Sequence, residues 1–446
     1  MGRATTTFIT GGVRTIGRRA GTTIIHAGDP SLVLDLQFAR DQAYASKRGP
    51  LPTFTRASQA WRVNSAGIIV PAAINTPRID YDPTTLACRG LLIEEQRTNL
   101  CLWSEDLTNA AWLKTTTTAL ADQTLSPDGT ADADLVSETA ISGVHAIQQI
   151  NVTSVIGVTY TSSMWVKKGN GATAPDWIAI RLAGGFGSGI GAAFNVSTGL
   201  FGAISGVTIS VKGYLDGWWR VSITATATSV ASFGVFLGFT DNVNSVSLAS
   251  YTGSTTSNVF VWGAQLEVGA FATSPIPTTS AAVVRSADVC SITGGSFTSF
   301  FNATEGTLVV KAARLMGANS AGVSGFPRYL SFDDVTSANR IHAWWFGGPN
   351  QYGVTASGVD SAALALATVT GGTSFGIAAR YKANDFAASQ DGGAVGTDVS
   401  GSLPTVTALG IGQASTGGGV INGHIRAVQY YNRIKTNAQL QTLSTP

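Results

Sequence analysis

The chain has 446 residues, more than one typical domain, so two or three domains are expected. Only 12% of its residues are charged against 44% apolar, about half the usual charged share, which leaves little to cover the wet faces of long helices. A net charge of +2, with no clustered basic face beyond the N-terminus, argues against nucleic-acid binding, and no run of about 20 apolar residues is present to insert in a membrane. Abundant Thr, Ser and Val suit strands and the 52 glycines suit turns, so the composition reads as all-β.

Residues 1–30 are Gly- and Thr-rich and lack periodicity. They read as a flexible arm, with Arg3, Arg14, Arg18 and Arg19 as candidates for docking onto an acidic partner. No apolar core lies between these arginines, so no secretory signal is expected. LVLDLQF, residues 32–38, alternates with Leu32, Leu34, Leu36 and Phe38 on one face, as a half-buried strand does. FTRAS, WRVNSAGIIV, PRIDYDP and GLLIEEQRTNL follow, and Asn64, Ser65 and Gly67 supply a hairpin turn within the second. Residues 31–100 are therefore read as a short β region.

Short strands with turn signals between them then fill residues 101–275, the pattern of a first jelly roll. GVTYTSSMWVKKG places Val158, Tyr160, Ser162, Met164 and Val166 on one face, and SNVFVWGAQLEVG alternates again near the end. Residues 276–289 open rich in Pro and Thr and are assigned as a linker. EGTLVVKAARL, NRIHAWWFGG and GHIRAVQYYNR belong to a second sandwich over 290–446, which ends in a short helix or turn from Lys435 to Thr442. The expected fold is all-β, two jelly-roll β-sandwiches in tandem after a flexible N-terminal arm.

Catalytic signals are scarce. A glycosidase sets two carboxyl groups across one sugar bond. Residues 291–446 hold a single glutamate, Glu305, and the adjacent Asp333 and Asp334 would point to opposite faces of a strand. Asp80 and Asp82, near Pro77 and Pro83, read as turn residues bonding their own backbone, and Glu94, Glu95 and Arg97 as a local ion pair or subunit contact. The histidines His26, His145, His342 and His424 have no His or Cys at metal spacing. Asp333, Asp334, Asp360 and Asp391 share no loop with the six or more oxygens of a calcium site. Cys88, Cys101 and Cys290 read as buried apolar residues of a chain folded in reducing surroundings. No enzyme activity, metal or cofactor is expected.

Tryptophan is the remaining binding signal. Trp218 and Trp219 are adjacent, as are Trp344 and Trp345, and strand alternation sends one of each pair inward. The first pair reads as core plus subunit packing. Trp344 and Trp345, which precede Gly347, Gly348 and Pro349, are the candidate carbohydrate-binding residues.

Three segments carry a resemblance. The stretch from FTRASQAWRVNSAGIIV through PRIDYDP into GLLIEEQRTNL resembles the opening of many tailed-phage fibre, head-spike and minor structural proteins. Residues 218–289, from WWRVSIT through VWGAQLEVG to VVRSADV, are similar to the close of the carbohydrate-binding-module-like jelly roll in those proteins. Residues 375–443 are similar to the end of concanavalin-A-like (laminin-G-like) domains. The resemblance implies a virion protein folded in the host cytoplasm, a homotrimeric tail fibre, head fibre or spike. Its arm would meet tail, adaptor or capsid proteins, and its sandwiches a host cell-surface polysaccharide. The alternatives are an architectural decoration protein without ligand and, more remotely, a glycan-degrading depolymerase.

Overall fold

The computed structural model describes residues 28–182, 184–240, 243–315 and 326–446. The arginines assigned to docking, Arg3, Arg14, Arg18 and Arg19, lie outside the described residues. The chain is all-β, and antiparallel pairing joins its longer strands into two sandwiches.

The first sandwich sets two six-stranded sheets face to face. One runs, in spatial order, Thr117–Thr124, Ala133–Glu138, Asn258–Val268, Thr159–Lys168, Trp219–Thr226 and Thr208–Gly213. The other runs Phe201–Ser205, Gly191–Asn195, Trp177–Arg181, Ser232–Phe239, Ala146–Thr153 and Leu113–Thr115. Tyr160, Met164 and Val166 meet Ile178, Phe194, Val221 and Phe233 between the sheets, as their alternation requires. In Asn258–Val268 the pairing slips opposite Ser163 and Trp165, and Gly263 sits there at φ +62°. A left-handed residue at a bulge favours glycine. The slip keeps Val259 and Val261, then Ala264 and Leu266, on the same core face.

The second sandwich is assembled from both ends of the chain. Its nine-stranded sheet takes Leu32–Leu36, Ser46–Arg48, Ile79–Tyr81 and Cys88–Ile93 together with Glu305–Arg314, Ser374–Lys382, Asp385–Gln390, Gly396–Asp398 and Gly423–Tyr431. Its seven-stranded sheet has Thr53–Thr55 at one edge, followed by Val289–Thr293, Ala408–Ile411, Arg328–Asp333, Arg340–Trp345, Pro349–Ala356 and Val359–Thr368. Residues 31–100 are thus largely strands of the second sandwich rather than a region of their own. The first sandwich is inserted between the two parts of the second.

The insertion has a closed neck. Arg97–Asn99 leads into the first sandwich and Val283–Arg285 follows it, and the two strands pair with each other. Residues 276–289 are accordingly not a free linker, since Arg285 is 1% exposed and Asp288 0%. Alternation reports which face of a strand is buried, but not which distant strand lies beside it.

LVLDLQF keeps its predicted face only in part. Leu34, Leu36 and Phe38 enter the main core, but the pairing with Gly423–Tyr431 slips between Leu32 and Leu34. Leu32 therefore packs on the opposite face with Val309, Tyr431, Leu440 and Leu443. Leu440 and Leu443 come from the helix Asn437–Leu443, whose start is closed by a capping box between Thr436 and Gln439.

Candidate binding sites

Strand Arg340–Trp345 decides which tryptophan of its pair is available. Ile341, Ala343 and Trp345 enter the core, so Arg340, His342 and Trp344 face outward. Trp345 is 8% exposed, its Nε1 donates to the Gly348 carbonyl at 3.0 Å, and the Arg314 guanidinium lies 4.5 Å from its ring centre. It is a core residue and cannot meet a sugar, which corrects its assignment to the binding surface. Trp344 is half-buried and stacks on His342, with ring centres 3.9 Å apart and planes 12° apart. Its ring also lies against Gly353, where a Cβ would come within 2.6 Å.

Two further rings sit at this end of the strand. Phe326 and Phe346 are each 50% exposed and pack together at 4.8 Å. Arg328 is paired opposite Trp344, both Arg328 and Arg340 are half-buried, and their Nε atoms are buried without an acceptor among the described residues. Burial, with these two arginines nearby, holds His342 well below the ordinary imidazole range, so it is neutral at pH 7. The patch offers aromatic faces beside guanidinium donors.

The other pair splits between two cores. Trp219 packs toward the core of the first sandwich and donates to the Val196 carbonyl at 3.0 Å. Trp218 points the other way and joins Trp165, Trp262, Val63, Ile69 and Tyr81 in a separate buried cluster. The packing beyond the core is thus between the jelly roll and the N-terminal hairpin of the same chain.

That hairpin, Ala60–Val63 with Ile69–Ala72, forms as its turn residues predict. Beside it lies a buried ionic network. Arg56 reaches Asp288 at 3.1 Å, Arg78 bonds both Asp288 and Glu94, and Arg285 lies 3.2 Å from Glu94. All five side chains are at most 1% exposed. Ser274 adds hydrogen bonds to Glu94 through its amide at 2.8 Å and its hydroxyl at 2.6 Å. Burial opposes ionisation of Glu94, but Arg285, Arg78 and Ser274 outweigh it and hold the carboxyl well below the usual range. Glu94 therefore does not join Glu95 and Arg97, which pair with each other at 2.5 Å.

A cleft of about 730 Å³ opens next to the network, between the sheet containing Trp219–Thr226 and the segments around Asp80 and Phe271. Asp82 lines it, accepting from its own turn at Thr84 and Thr85 as the sequence predicts, and also from Arg89 and Lys212 at 2.6 and 2.7 Å. Asp80 does otherwise, accepting from the Val63 amide at 2.7 Å and facing His424 Nε2 at 2.8 Å. No composition or spacing signal in the sequence points to this cleft, because its walls come from widely separated segments.

The aspartates considered for calcium serve local bonds. Asp333 accepts from Ser331 and from the Ser415 amide, Asp334 from Thr336, Asp360 from Thr355 and Asp391 from the Gly376 amide. Among the described residues no group of three or more His, Cys, Asp or Glu is placed to hold a metal. Cys101 and Cys290 are buried, Cys88 is half-buried, and all three are free thiols.

No protein-family model matches the chain, and no curated protein matches it. Among solved structures it is similar to mouse laminin alpha1 chain, domains LG4-5, at 11% identity, covering 65% of this chain and 84% of that one with a TM-score of 0.22. The β-sandwich architecture rests on the strand pairing of the chain itself.

Proposed function

We propose that the chain is a non-enzymatic structural protein of a tailed-phage particle, a fibre or spike that presents a sugar-binding surface on its second sandwich. The observation that carries the binding part is the outward patch of Trp344, Phe346 and Phe326 beside Arg328 and Arg340. Sugar C–H faces stack on exposed rings, and guanidinium groups donate to hydroxyl and carboxylate oxygens. The virion assignment rests on the resemblance of the FTRAS, PRIDYDP, LLIEEQRTNL and VVRSADV segments. In this reading the arm meets other virion proteins, and three copies on one axis raise the avidity of weak sites by about 10²–10⁴.

The test titrates purified host-surface polysaccharide against the wild type and against Trp344→Ala and Phe346→Ala. Binding that falls about tenfold or more in both variants supports the reading. Unchanged binding removes the patch from it, and a rise in reducing ends over time replaces the adhesin with a depolymerase. Light scattering checks the assembly, for which a mass near three chains is expected.

A second reading, an architectural decoration protein without ligand, draws on the buried ionic network that ties the N-terminal segments of the second sandwich to the segment that follows the insertion. It predicts no glycan binding and tight incorporation into particles.

A further inference from the structure

We infer that the cleft between the two sandwiches is an anion-recognising site for an acidic saccharide, with Arg220 and Arg62 as the groups that meet its carboxylate. Arg220 projects from the outer face of Trp219–Thr226, where its neighbours in register are Trp165 and Lys212. Its guanidinium lies 4.2 Å from the centre of the Trp165 ring and donates to Ser163 Oγ at 3.2 Å. Its Nε is buried and meets no acceptor, and Glu267 and Glu94 lie near it without forming an ion pair among the described residues. Arg62 lines the same cleft and spends one donor on the Ile79 carbonyl at 3.0 Å. It too has no carboxylate partner among the described residues.

Among the described residues every carboxylate facing the cleft is already answered. Asp82 is shared by Arg89 and Lys212, Asp80 faces His424 and the Val63 amide, and Glu94 is held by Arg78, Arg285 and Ser274. Glu267, near Arg220, accepts from both the amide and the hydroxyl of Thr273 and from Gln265. The cavity therefore carries more positive charge than its own acids neutralise. A guanidinium held in a low-dielectric cleft favours a carboxylate that can accept two parallel hydrogen bonds.

The size and the remaining walls narrow the ligand. About 730 Å³ is the volume of an organic ligand site rather than of a single inorganic ion. Ser210, Ser222 and Thr224 present hydroxyls, and Tyr214 offers a ring beside Arg220. Hydroxyls, a ring and fixed guanidinium groups together suit a short uronate-containing oligosaccharide. This site is separate from the Trp344 surface and does not rest on it.

The test uses the full chain and trigalacturonate as probe, read by tryptophan fluorescence, because the Trp165 ring touches Arg220. A saturating change is expected with trigalacturonate, weakened by high salt. It should be absent with the same trimer after reduction of its carboxyl groups to alcohols. Arg220→Gln and Arg62→Gln should each weaken binding about tenfold or more. Arg62→Gln keeps the test open if the loss of Arg220 from the Trp165 ring unfolds the chain. Failure of trigalacturonate to bind, equal binding of the reduced trimer, or full binding by folded variants overturns the inference.

Discussion

Arg56 and Asp288 stand 232 positions apart in the chain, yet their side chains meet at 3.1 Å with neither exposed. Asp288 also receives Arg78, so one carboxylate ties the FTRAS and PRIDYDP segments to the VVRSADV segment that follows the inserted sandwich. Removing one partner of such a group leaves the others charged, buried and unpaired. Asp288→Ala is expected to destabilise the chain by about 3–5 kcal/mol. Urea denaturation followed by tryptophan fluorescence measures it. A loss under about 1 kcal/mol would mean that the network contributes little.

The nested arrangement makes a second prediction. A fragment of residues 290–446 lacks the strands Leu32–Leu36, Cys88–Ile93 and Thr53–Thr55, which complete its two sheets. It is expected to be unfolded or aggregated by circular dichroism and exclusion chromatography. Joining residue 100 to residue 276 by a short linker should instead leave a folded second sandwich, because Asn99 Nδ2 already donates to the Ile276 carbonyl at 2.8 Å. A soluble, cooperatively melting 290–446 fragment would contradict the role of the N-terminal strands.

The first sandwich carries two carboxyl groups whose titration shifts its stability. Burial pushes Asp134 up to about 6 despite the amides of Leu107 and Asp122, and burial with Asp132 and Asp128 nearby pushes Glu105 up to about 7. Both folded values lie above the ordinary 3.8 and 4.5, so the folded state binds more protons in between. The stabilisation is full below the ordinary values and is lost as pH rises through about 6 to 7. Melting temperature should therefore fall as pH is raised across that window. Asp134→Asn, which removes the titrating proton and keeps an acceptor for one of the two amides, should flatten the dependence, and an unchanged slope would assign it elsewhere.

The two adjacent tryptophans of Arg340–Trp345 should respond differently to truncation. Trp345→Ala removes a core ring and is expected to cost about 3–5 kcal/mol. Trp344→Ala should cost far less, because that ring stands on the outer face over His342 and Gly353. Gly353→Ala should displace Trp344 and weaken any ligand that stacks on it, with a smaller effect on stability. Thermal melts and a binding titration on the three variants separate these outcomes, and equal melting losses for the two tryptophans would contradict the facing described.

Much of the local structure was legible in the sequence. Thr, Val and Gly usage announced strands and turns, Asn64 and Gly67 announced the hairpin of Ala60–Val63 and Ile69–Ala72, and alternation correctly divided Tyr160, Met164 and Val166 from Trp165. The adjacency of Trp344 and Trp345 also required that one face in and one face out. These are properties of a few consecutive residues, and the period of a strand is enough to set them. Only the tertiary structure decided which ring was which, that Leu32 leaves the face of Leu34, and that residues 31–100 complete a sandwich whose other strands begin near residue 289. The same holds for Arg56, Arg78, Glu94, Arg285 and Asp288, which are scattered along the chain and meet as one buried network. The reason is physical. A strand offers the same backbone hydrogen bonds to any partner, so the choice among distant edges is made by packing and by which buried charges find their counter-ions.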